Sequence, residues 1–169
     1  MPQIIQYIDA IARHRQRDVL YLVFGARTVR EYMREARSDD DADGDVFDTL
    51  DEWERTPNRQ LVLDWLDEQG MAWQPCGGFA NVNVMPPYMG FVYVDVPYDT
   101  ALPEYQKLEA FLEQADGSRV FPDVLFCYVP LAMAMKNAEH DAPGFWERLD
   151  GDDDECWGVL EGTNISRLR

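Results

Sequence analysis

Two six-residue apolar runs constrain this chain more than any other feature: Val19-Leu20-Tyr21-Leu22-Val23-Phe24 and Val124-Leu125-Phe126-Cys127-Tyr128-Val129. Neither alternates with polar residues, so each reads as a strand covered on both faces. That reading puts both at the centre of a sheet. Gly25 ends the first run.

Helical patterns surround them. Pro2 suits a first helical turn, and Ile4, Ile5, Ile8, Ile11 and Ala12 recur at helical spacing before Arg13, His14, Arg15 and Arg17. Thr28 and Glu31 have capping-box spacing ahead of Val29, Tyr32, Met33 and Ala36. A short helix is expected over 49–55. Leu61, Val62, Trp65 and Leu66 mark the inward stripe of another, stopped by Gly70. Pro103 opens a helix bearing Tyr105, Leu108, Phe111 and Leu112. Leu131–His140 and Phe145–Leu149 read as the last helical segments.

Weaker strand signals complete the pattern. Met71–Cys76 reads as a strand, and Ala80, Val82 and Val84 alternate with Asn81 and Asn83. Phe91–Val96 is the expected partner of the alternating run. The elements together predict an α+β fold with a mixed or mainly antiparallel sheet of about four to five strands, packed against helices on one face or both. Residues 1–150 are expected to form that single domain, and 151–169 an acidic C-terminal segment with an apolar island at Trp157–Leu160.

Charge narrows the function. Residues 1–37 carry a net +3 and residues 38–169 a net −20, giving −17 in all. Such a field repels nucleic acid and anionic lipid and attracts cations and basic proteins. The longest apolar runs fall well short of the roughly 20 residues that span a bilayer. No secretory signal is visible after Met1-Pro2-Gln3, and Cys76, Cys127 and Cys156 form no disulfide framework, so a cytoplasmic setting is expected.

Several motifs bear on chemistry. Asp39, Asp41, Asp43, Gly44 and Asp45 fit positions 1, 3, 5, 6 and 7 of a calcium loop, but the closing position is Leu50, with Asp51 and Glu52 too late. The loop therefore reads as solvated acid, and no metal or cofactor is expected. Neither a Walker nor a dinucleotide glycine motif occurs, and the Cys and His spacings match no zinc pattern. Cys76, before Gly77 and Gly78, is the best thiol nucleophile, while Cys127 reads as core and Cys156 lies among acids. Arg27, after Gly25, heads a weak anion site. Asp95 and Tyr93, beside Asn81 and Asn83, would line a polar groove or the wet face of an antiparallel sheet.

Aromatic residues near acids suit the docking of a basic partner, because rings supply binding energy and carboxylates steer the approach. Trp53, Trp73, Tyr88, Tyr98, Trp146 and Trp157 lie near turns or polar stretches. The sharpest case is the acidic stretch around Trp53, so the expected partner-binding residues are Asp39, Asp40, Asp41, Asp43, Asp45, Asp48, Asp51, Glu52, Trp53 and Glu54. The leading expectation is a non-enzymatic protein-binding module, in concrete form an inhibitor or immunity protein for a cationic toxin or nuclease. The competing readings are a small enzyme or divalent-cation binder with a polar pocket on the sheet, and a secretion chaperone.

Overall fold

A computed structural model describes residues 5–25, 56–83 and 88–151. In chain order its elements are α1 (Ile8–Arg15), β1 (Val19–Phe24), α2 (Arg59–Glu68), β2 (Trp73–Pro75), β3 (Val92–Val94), α3 (Pro103–Leu112), β4 (Val124–Val129), α4 (Leu131–Ala134), a 3-10 helix (Met135–Asp141) and α5 (Phe145–Gly151). The strands lie in the order β2-β3-β1-β4, and every neighbouring pair is antiparallel. Consequently β1 runs parallel to β2, and β3 parallel to β4, each pair separated by one intervening strand. From β1 onward the described elements read β-α-β-β-α-β, the split crossover connectivity of the ferredoxin-like motif.

Alternation along the strands sorts the core into two layers. Leu20, Leu22, Phe24, Val92, Val94 and Val124 face α2 and α3, meeting Val62, Leu66, Leu108 and Leu112. Trp65 stacks on Phe111 with centroids 3.9 Å apart, joining the two helices. On the opposite face Val19, Tyr93 and Val129 meet Ile8, Ile11, Ala12 and Ala134 of α1 and α4. Helices thus cover both faces of a four-stranded antiparallel sheet, a single-domain α+β fold. Full burial of each such aliphatic side chain contributes roughly 1.5–3 kcal/mol.

The local chemistry explains the boundaries. Pro103 starts α3 at its first turn, where a missing N–H costs nothing. The chain leaves β1 through Gly25, whose φ of 111° suits glycine alone. At the N-terminus the helix begins at Ile8, later than the isoleucine spacing predicts. Tyr7 instead pairs with Gly77 in an isolated parallel bridge, and Ile5 is exposed.

Three further expectations are corrected. Val124–Val129 is an edge strand, flanked only by β1. Its ends are buried on opposite faces, Val124 toward α2 and α3 and Val129 toward α1 and α4, while Tyr128 between them is 48% exposed. Residues 80–83 form no strand, and β3 pairs with β1 and β2 instead. The Ala80 N–H donates to Asp9 Oδ1 at 2.9 Å, and its carbonyl accepts from Asn137 Nδ2 at 3.1 Å, so tertiary partners consume the groups a ladder would need. On α2, Leu61 is 49% exposed and Leu63 points inward in its place.

Candidate functional site

The ten expected partner-binding residues, Asp39 to Glu54, lie outside the described residues, as do the calcium-like loop, Arg27, Trp157, Cys156 and the second acidic block. The described residues offer three polar or aromatic centres that can be weighed for function.

The first is a buried ionic keystone. Arg13 donates from Nε and Nη2 to both Asp141 oxygens, at 2.7 and 2.8 Å. Its Nη1 donates to Asp9 Oδ2 at 2.8 Å and to the Ala134 carbonyl at 3.0 Å. Asp9 is fully buried and also accepts from the Ala80 N–H and from Asn137 Nδ2. The bidentate Arg13 pair holds the Asp141 carboxyl below the usual carboxylate range. In turn that pair raises the guanidinium further above its ordinary value. A hollow of about 330 Å³ beside it is lined by Gln6, Arg13, His14, Met135 and Asp141 among others. Arg13 engages both carboxylates and Asp9 reaches the Ala80 N–H, so the arrangement fastens α1 to the 3-10 helix and to residue 80.

The second centre is Asp95. The sequence leaves it lining either a polar groove with Asn81 and Asn83 or the wet face of an antiparallel sheet. It is held by Arg15 at 3.0 Å and by Arg17 at 2.5 Å, and it accepts from the Tyr93 hydroxyl at 2.6 Å. Burial first, and then Asp95, push the Tyr93 phenol up to about 12. Asn81 turns its side chain onto the Asn83 N–H at 2.9 Å, and both asparagines are exposed. Both Asp95 oxygens are thus engaged within the fold, Oδ1 by Arg17 and Tyr93 and Oδ2 by Arg15.

Cys76 is no better as a nucleophile. It is fully buried, and burial pushes its thiol up to about 12, so thiolate is scarce at neutral pH. The Gly77 N–H after it is already spent, donating to the Gln6 carbonyl at 2.8 Å. His14 is exposed, and His140 is buried against Phe145 and Trp146 at 4.6 and 5.1 Å. No described trio of His, Cys, Asp or Glu can hold a metal ion.

The third centre lies where β4 meets the loop before α3. Tyr98 stacks on Tyr128, with centroids 4.4 Å apart and planes inclined by 12°. Tyr105 meets Tyr98 edge-on at 5.5 Å and Phe126 at 6.1 Å. Tyr98 and Tyr128 are 39% and 48% exposed, whereas Tyr105 is buried and donates to Glu109 Oε1 at 3.2 Å. Burial, with Glu109 and Glu113 adding to it, pushes the Tyr105 phenol up to about 12. Glu113 also acts on Cys127, whose thiol is raised chiefly by burial. Two exposed rings joined through Tyr105 to the Glu109 carboxylate suit a cationic or amphipathic ligand, since ring faces and acids both attract positive charge.

Tyr98 is legible in the sequence as an aromatic at a turn. Tyr128 is hidden within an apolar strand, and only the edge position of β4 exposes it. No helix among the described residues is long and apolar enough to cross a membrane. No family model matches the chain, and neither a curated protein nor a solved structure matches it.

Proposed function

We propose that this protein is an acidic protein-binding module that neutralises a basic partner, in concrete form an inhibitor or immunity protein for a cationic nuclease or toxin. The observation that carries the reading is the exposed Tyr98–Tyr128 pair joined to Tyr105, whose phenol donates to Glu109 and is also raised by Glu113, in a chain of net charge −17. Aromatic anchors provide affinity where they are desolvated, and a field of one sign accelerates encounter with the opposite one. Carboxylates take the place of nucleic-acid phosphates on a basic surface, which is how an acidic protein blocks a nuclease cleft. The acids and Trp53 between 39 and 54 extend the same chemistry along the chain.

The enzyme reading has less support, because Asp95 is committed to two arginines and Cys76 is buried. The test is capture on the immobilised full chain from its native cell at low salt, followed by binding of the purified captured protein. A basic protein released by salt and inhibited on binding supports the proposal. Recovery of nothing basic contradicts it.

A further inference from the structure

We propose that the outer edge of β4 takes an extended, lysine- or arginine-bearing segment of a partner protein as an additional strand. This rests on the basic-partner reading above and gives it a docking mode.

Hydrogen-bond phase identifies the free groups. The Gly25 N–H donates to the Asp123 carbonyl at 3.0 Å, and the β1–β4 register continues from that pair. Leu125, Cys127 and Val129 therefore bond to β1, because bonded pairs recur at every second residue. Phe126 and Tyr128 turn their N–H and C=O groups away from β1, and none of the four meets a partner among the described residues. Unpaired backbone groups on a strand edge are a template for another strand.

The two edges of the sheet are built differently. β2 is three residues long and ends in Pro75, and the chain just beyond it is bridged by Tyr7. Those are devices that blunt an edge. β4 has six residues, no proline and no charge. It therefore lacks the features that normally discourage pairing.

Charge selects the occupant. Glu109 accepts from the Tyr105 hydroxyl at 3.2 Å, and the Tyr105 ring meets Phe126 of this strand at 6.1 Å, so a carboxylate stands on the α3 side of the edge. A second copy would bring another −17 against the same edge, which opposes self-pairing. A basic strand meets no such penalty. Its outward backbone groups would pair with Phe126 and Tyr128, while cationic side chains on the α3 side reach the Tyr128 ring and Glu109.

The experiment uses the full chain and a hexapeptide alternating lysine and valine, at low salt, with residue-resolved amide exchange. In the free protein the Phe126 and Tyr128 amides should exchange readily, and saturating peptide should slow them by about tenfold or more. The same peptide N-methylated at alternate residues keeps its charge but loses its pairing donors, and it should bind at least about tenfold more weakly. These results together support strand addition. Amides already protected before peptide is added would mean that the chain itself or a second copy covers the edge, and would overturn it. Equal binding of the methylated peptide would also overturn it, while leaving recognition by charge intact. Absence of any peptide binding overturns strand addition as well, and capture of a basic partner then decides the broader reading separately.

Discussion

Tyr98 lies flat against Tyr128, 4.4 Å between centroids, and so links the loop ahead of α3 to the outermost strand of the sheet. Both rings remain substantially exposed. Exposed stacked tyrosines add little to folding but present a large, rigid surface to a partner. Replacing Tyr128 with alanine should cost no more than about 1 kcal/mol of stability, yet weaken partner binding by about tenfold. Urea denaturation and titration calorimetry on the same variant separate the two effects.

Arg13 is the residue on which packing of α1 depends most. Arg13→Met leaves the fully buried Asp9 without its cation, which should destabilise by about 3–5 kcal/mol. The double variant Asp9→Asn with Arg13→Met should recover part of that loss, because no buried charge then stands alone. Denaturant midpoints for both variants check the expectation.

Asp141 sets a pH limit. Its folded carboxyl titrates below its unfolded value because of Arg13. The stability it adds is therefore complete above the unfolded value of about 4, and is lost as pH falls through the lower folded one. Asp141 is half exposed, so the contribution is modest. Asp141→Asn should slightly lower stability at pH 7 and flatten the acid limb of a stability–pH curve below about pH 4.

Cys76 should report on global unfolding. With the thiol buried and raised to about 12, a thiol reagent at pH 8 should modify it only when the core opens. Half-buried Cys127 should react sooner. Mass mapping of labelled peptides against time and denaturant distinguishes the two sites.

The sequence made local order readable where the cause is local. Val19–Phe24 forms its strand, Pro103–Leu112 its helix and Phe145 starts α5, because spacing and capping act within a few residues. It misplaced β4 because apolar continuity carries no trace of which strand lies beside it. The alternation at Ala80–Val84 misled for a different reason. Asp9, some seventy residues earlier, claims the Ala80 amide, and nothing near residue 80 advertises that. Asp95 stands out in the sequence as an acid outside the charged blocks, but its partners Arg15 and Arg17, just ahead of the neighbouring strand β1, are visible only once β1 and β3 are paired. The acidic stretch proposed for docking, 39–54, falls outside the described residues, so the Tyr98–Tyr128 surface carries that part of the account.

The most direct test is the salt dependence of binding between the full chain and the basic protein it captures, measured beside Glu113→Lys. Affinity should fall by about tenfold or more between roughly 50 and 500 mM salt, chiefly through slower association, with the variant weaker and less sensitive to salt. Capture of no basic protein at low salt, or an affinity indifferent to both salt and the charge reversal, would contradict the account.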